Sequence, residues 1–141
     1  MREILFRGKR IAGHRDGTKD GTMMYGSLFV DKNGQPKIKW YNEQYGTSIT
    51  SNVDPNTVGQ FIGLLDKNGK KIFEGDIVLR SGITWLIAFE KNAFVCKDNT
   101  MRTYFALWEQ WEYNWKSAED ISPSDAFEVI GNIYDNPELL V

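Results

Sequence analysis

The sequence predicts a mainly β protein, a small barrel or sandwich carrying one short aromatic-rich helix. Short apolar runs, several of them alternating with period two, recur along the chain with turn residues between them. The tetrapeptide Asp-Lys-Asn-Gly occurs twice, at 31–34 and 66–69, each time between two such runs. Asn-Gly supplies the positive-φ backbone of tight hairpin turns, so both copies are predicted turns. Only "YFALWEQWEYNW" changes to a helical period, with Tyr104, Leu107, Trp108, Trp111 and Trp115 on one face.

In chain order, Ile4–Arg7 is a short strand, and the glycine-punctuated "AGHRDGTKDG" that follows is a polar loop. Thr22–Val30 and Lys37–Tyr41 form the first predicted hairpin. The polar stretch Glu43–Thr57, broken by Asp54-Pro55, is the best internal boundary and divides a β-rich segment, 1–57, from a barrel region, 58–141. Val58–Leu65, Lys71–Arg80, Thr84–Glu90 and Ala93–Lys97 are strands, followed by the aromatic helix and by Phe127–Tyr134 as a last strand. Asn136-Pro137-Glu138 has the pattern of a helix start: a capping Asn, Pro at the first position and an early acid.

Composition narrows the function classes. A chain of 141 residues with 41% hydrophobic and 13% aromatic content can bury a real core. No apolar run approaches the roughly 18 residues of a membrane span. The opening "MREILFRGKR" flanks a short apolar patch with charges and does not read as a signal peptide, so a cytoplasmic protein is expected. A single cysteine, Cys96, excludes an internal disulfide and reads as an inert, part-buried thiol.

The net charge of −2 offers no global attraction to nucleic acid. Arg2, Arg7, Lys9, Arg10, Arg15 and Lys19 crowd the first 19 residues, and eight acids lie in 108–141. These read as ends that offset one another rather than as a phosphate-binding surface.

Catalytic motifs fail on inspection. "GLLDKNGKK" resembles a phosphate loop, but five residues separate Gly63 from Gly69, and Lys71 stands where the magnesium-binding hydroxyl belongs. His14-Arg15-Asp16 lacks the companions of a kinase catalytic loop. One His and one Cys cannot close a zinc site. Glu74 and Asp76 are the closest carboxylate pair, and alternation along Ile72–Val78 puts both on one strand face; they read as structural, with Gly75-Asp76 opening a strand and Asp76 bonding local backbone amides. No catalytic residue, metal ligand or cofactor is assigned. Trp108, Trp111 and Trp115 are the candidate interaction surface, for self-association or a partner protein. Lys37-Ile38-Lys39-Trp40-Tyr41 interleaves cations with aromatics, which gives nucleic-acid binding a minor place beside them.

Three stretches, "REILFRG", "TVGQFIGLLDKNGKKIFEGDIV" and "FEVIGNIYDNPELL", together resemble the YopX family of phage and prophage proteins. The resemblance spans both ends and the middle of the chain. It implies an SH3-like small barrel in the C-terminal part, entered at "EGDIV" and closed at "EVIGNIY", and a virus-encoded protein acting in the cytoplasm of a bacterial host. It supplies no activity and no catalytic residue, while Gly75, Asp76, Gly131 and Pro137 shape turns and strand ends. The expectation is a non-enzymatic protein-interaction module, oligomeric, binding a host or phage protein. A nucleic-acid-binding barrel and a carboxylate-dependent metal enzyme around Glu74 and Asp76 are the alternatives.

Overall fold

A computed structural model describes residues 1–11, 19–100, 104–106 and 126–141, the backbone alone at 104–106. The chain divides into two compact units, Met1–Phe61 and Ile62–Val141, joined within one strand.

The first unit holds β1 (Phe6–Lys9), β2 (Met23–Val30), β3 (Pro36–Asn42), β4 (Thr47–Asn52), a 3-10 turn at Pro55–Thr57 and the start of β5 (Gly59–Leu65). These strands are antiparallel neighbours in the order β4-β3-β2-β1-β5. Alternation along β2 and β3 sends Met24, Leu28, Ile38 and Trp40 to one side, where they pack with Val53, Phe6 and Val58. Ile38 and Val53 are fully buried there. β4 lies inside the stretch expected to be a boundary loop. Its sequence, Thr-Ser-Ile-Thr-Ser-Asn, is polar but rich in β-branched residues, and it forms a six-pair ladder with β3.

In the second unit, the end of β5 pairs with β6 (Lys71–Phe73) across the Asp66–Gly69 turn. β7 (Asp76–Arg80), β8 (Ile83–Glu90), β9 (Ala93–Asp98) and β10 (Tyr104–Ala106) follow as a meander. The last strand, β11 (Glu128–Asn132), returns to the far side of β7, so the sheet order is β10-β9-β8-β7-β11. Ile72, Val78, Trp85, Ile87 and Cys96 form its buried cluster, flanked by Ile62, Leu64, Phe94, Phe127 and Val129. Two-residue turns at Ser81-Gly82 and Lys91-Asn92, with φ positive at both positions, close the β7–β8 and β8–β9 hairpins.

Two expectations are overturned. The SH3-like barrel is absent: among the described residues the strands form antiparallel sheets that do not close, with β10 and β11 as the two edges of the second. A turn occupies the position a closing strand would need beside β11. Lys67 N–H donates to Phe127 O at 2.8 Å, and Val129 N–H donates to Asp66 Oδ2 at 3.0 Å. The aromatic helix also fails at its start, because Tyr104–Ala106 is strand, paired with Val95–Lys97 of β9. No α-helix occurs among the described residues, and none is long and apolar enough to cross a membrane. Trp108, Trp111 and Trp115 lie outside the described residues.

Candidate interaction face

The two Asp-Lys-Asn-Gly copies adopt the same turn. Asp31 N–H donates to Gln35 O at 3.0 Å and Gly34 N–H donates back to Asp31 O at 3.0 Å; the corresponding bonds at Asp66 are 2.7 and 3.0 Å. Only the glycines, Gly34 at φ 83° and Gly69 at φ 79°, are left-handed. The turn is therefore a type I turn followed by a left-handed glycine, rather than an Asn-Gly turn with two positive φ values. Each Asp Oδ1 accepts two further backbone N–H groups, from Asn33 and Gln35 in one copy and from Asn68 and Lys70 in the other. This rigid turn holds β2 and β3 in register, with Phe29 opposite Lys37 and Ser27 opposite Lys39.

That register builds one face. Tyr25, Ser27 and Phe29 of β2 project opposite to the buried Met24 and the partly buried Leu28, and Lys37, Lys39 and Tyr41 of β3 project opposite to Ile38 and Trp40. Tyr25 is 46% exposed, Phe29 43% and Tyr41 63%. Thr50 and Ser48 of β4 continue the face beside Lys39 and Tyr41. Lys37 reaches Asp31 at 3.6 Å, whereas Lys39 is exposed. The backbone N–H groups of Gln35 and Asn33 hold the Asp31 carboxyl below the usual carboxylate range, so it stays anionic beside Lys37.

Trp40 does not belong to this face. It turns inward, and its Nε1–H donates to the fully buried Ser51 hydroxyl at 2.9 Å. The cation–aromatic alternation in the sequence therefore separates onto two sides of the strand. Tyr25 and Phe29 were missed as site residues because only the strand register brings them beside Lys37 and Lys39.

An open cleft of about 520 Å³ is lined by Leu5, Thr22–Ser27 and Lys39–Tyr41, residues from both faces of these strands. The β2–β3 ladder stops at Ser27–Lys39. Beyond it Met23–Gly26 pairs with β1, and Trp40–Asn42 pairs with β4. Gly26 marks the crossing point: a Cβ there would stand 2.0 Å from Lys39 O, so only glycine lets the strands approach so closely.

The remaining sequence candidates are not brought together. Asp76 is buried, 1% exposed, and its Oδ2 accepts the Phe73 N–H at 2.8 Å, which matches its expected bonding to local amides. Glu74 and Gly75, the latter at φ 91°, form the turn between β6 and β7, so Glu74 lies in that turn rather than sharing a strand face with Asp76. Among the described residues, no group of three or more His, Cys, Asp or Glu side chains could hold a metal ion. Cys96 is 2% exposed in the core of the second unit. In the basic N-terminal stretch Arg7 and Arg10 are buried, and Arg10 pairs with Asp20 at 2.6 Å, so these two cations do not form a continuous exposed surface. His14, Arg15 and Asp16 lie outside the described residues. Exposed apolar residues of the second unit include Leu65, Ile83 and Phe89, and Phe89 packs edge-on against Phe94 at 5.2 Å.

Comparison with known proteins gives a consistent picture. The chain is similar over its full length, and theirs, to the crystal structure of protein EF1440 from Enterococcus faecalis, at 22% identity and TM-score 0.59. It is likewise similar over both full lengths to the crystal structure of protein yopX from Bacillus subtilis, at 18% identity and TM-score 0.53. At these identities the likeness shows the fold alone. No curated protein matches the sequence. The family model described as YopX protein matches residues 17–141, nearly all of the chain, and the protein belongs to the YopX family.

Proposed function

We propose that this chain is a non-enzymatic protein-interaction module that binds its partner on the outer face of the first sheet. The observation that carries the reading is the exposure of Tyr25, Phe29 and Tyr41 on a single strand-built face with little net charge. Aromatic side chains, tyrosine above all, bury large area with few torsions to freeze, and the cores of protein interfaces are depleted in charge. A tight hairpin fixes the face in advance, so little ordering opposes binding. With Lys37 engaged by Asp31, Lys39 is left as the cation on β3 facing solvent without such an acid among the described residues, and this favours a protein over a polyanion.

The setting we propose is a phage or prophage protein acting in the cytoplasm of a bacterial host, with a host or phage protein as partner. The test is capture from nuclease-treated bacterial lysate by the wild-type chain and by a Tyr25→Ser/Tyr41→Ser variant, with Phe89→Ser as the control. A specific protein retained by the wild type and the control but lost by the double variant is expected. Retention unchanged by the double variant would overturn the reading.

A further inference from the structure

Asn-Gly occurs twice in the sequence, at 33–34 and 68–69, inside the two copies of one turn. We infer that Asn33 is a site of spontaneous covalent modification, deamidation to aspartate or isoaspartate, from which the fold protects Asn68. This holds whatever the aromatic face binds. It makes the hairpin that carries Phe29 a segment that alters as the protein ages.

The reaction needs no enzyme. The Gly34 backbone nitrogen attacks Asn33 Cγ and forms a C–N bond; the Cγ–Nδ2 bond breaks, and ammonia leaves with the amide proton of Gly34. Water then opens the cyclic imide. Cleavage at the former side-chain carbonyl gives aspartate; cleavage at the main-chain carbonyl gives isoaspartate, whose backbone is longer by a methylene. Glycine favours the attack, because it has no Cβ to crowd its nitrogen or hinder rotation. Both Asn side chains are exposed, yet the folded turn engages the nucleophile in each copy. Gly34 N–H donates to Asp31 O and Gly69 N–H to Asp66 O, each at 3.0 Å. Each copy must therefore open locally before it reacts.

What breaks on opening differs between the copies. Among the described residues, 31–34 bond only within 31–37: the Asp31 and Gln35 backbone bond, the two N–H groups on Asp31 Oδ1, and Lys37 at 3.6 Å. Gln35 Nε2 donates to Val53 O at 2.9 Å, but this anchors the base of the turn and leaves its tip free. The second copy is tied to 127–129. Lys67 N–H donates to Phe127 O at 2.8 Å, Val129 N–H donates to Asp66 Oδ2 at 3.0 Å, and Lys67 Nζ meets Glu128 Oε2 at 3.0 Å. Opening it breaks these contacts as well, so its reactive state is rarer by about tenfold or more. The products matter to the first hairpin. Isoaspartate lengthens the turn that sets Phe29 opposite Lys37, and either product puts a new carboxylate beside the anionic Asp31.

The test ages the full chain in mildly alkaline buffer, digests it, and follows the two Asn-Gly peptides by mass spectrometry, with isoaspartate resolved by its separate elution. Modification about tenfold or more faster at Asn33 than at Asn68 is expected in the folded protein. In urea both turns are open and share the sequence Asp-Lys-Asn-Gly, so the two rates should agree within about twofold. Asn33→Gln should leave position 33 intact, because its longer side chain closes a ring far more slowly. Amide hydrogen exchange across 29–37 should quicken in the aged wild type and stay unchanged in aged Asn33→Gln. Equal rates in the folded protein, faster reaction at Asn68, or a ratio in urea as large as the folded one overturns the inference. Modification at Asn33 with unaltered exchange across 29–37 would reject the loosening of the hairpin.

Discussion

Asp66→Asn is a sharp test of how the second unit is held together. The Asp66 carboxylate accepts three backbone N–H groups: Asn68 and Lys70 at 2.8 Å each on Oδ1, and Val129 at 3.0 Å on Oδ2. The residue is only 7% exposed. An Asn side chain accepts on one side and donates on the other. Whichever way its amide turns, an NH₂ group faces either the Val129 N–H or the two turn N–H groups. A hydrogen bond to a charged group contributes about 1.5–3 kcal/mol, so the lost bond and the lost charge should together cost about 2–4 kcal/mol. For a chain of this size that is a fall in melting temperature of roughly 5–15 °C, read by circular dichroism at pH 7. Asp31→Asn in the equivalent turn is the internal control. Its Oδ1 holds the same two turn N–H groups, but its Oδ2 faces only Lys37, so the turn bonds survive and the shift should be much smaller. The pH dependence follows from the same geometry. Burial raises the Asp66 pKa, but the Val129, Lys70 and Asn68 N–H groups, aided by the Lys70 charge, outweigh it and hold the value below the ordinary 3.8. A depressed folded pKa contributes stability that is complete above 3.8 and is lost as pH falls through the folded value. The wild type should therefore lose its advantage over Asp66→Asn below about pH 4. Equal shifts for the two variants, or a difference that persists unchanged in acid, would refute the reasoning.

Three further outcomes are expected. Gly75→Ala places a methyl group 2.9 Å from Tyr134 Oη at φ 91°, whereas Gly63→Ala, also at φ 91°, meets nothing within 4 Å. Both variants should lose about 1–2 kcal/mol to backbone strain, and urea unfolding should show an added loss for Gly75→Ala alone. Ser51→Ala removes the acceptor of the Trp40 indole N–H and should cost about 1–3 kcal/mol with a change in tryptophan emission. Sedimentation of a Trp108→Ser/Trp111→Ser variant tests the expected oligomer: a smaller species that keeps its β-sheet signal supports those tryptophans, with Trp115, as an association surface, and an unchanged size removes them.

The parts of the fold legible in the sequence are those fixed by local chemistry. Asp-Lys-Asn-Gly marked both hairpins because an aspartate that can cap its own turn and a left-handed glycine lie within four residues of each other. β4 was hidden because Thr, Ser and Asn look like loop composition, and its inward face uses Ser51 as a hydrogen-bond acceptor for Trp40 rather than an apolar side chain. Barrel closure could not be read from strand spacing, since what stops it beside β11 is a contact between Asp66 and Val129, 63 positions apart. For the candidate site, period-two alternation already separated Trp40 from Lys37 and Lys39. The joining of Tyr25 and Phe29 to those lysines needed the register that the Asp31 turn imposes. The helical period of Tyr104, Leu107 and Trp108 misled at its first residue, where pairing with β9 outweighs a local pattern.

The central claim, that the outer face of the first sheet is where this protein meets another protein, is most directly tested by site-specific photo-crosslinking in bacterial cells. A benzophenone amino acid at Tyr41 should give a discrete protein adduct that is absent when the same group stands at Phe89. No protein adduct at Tyr41, or an adduct abolished by nuclease, would contradict it.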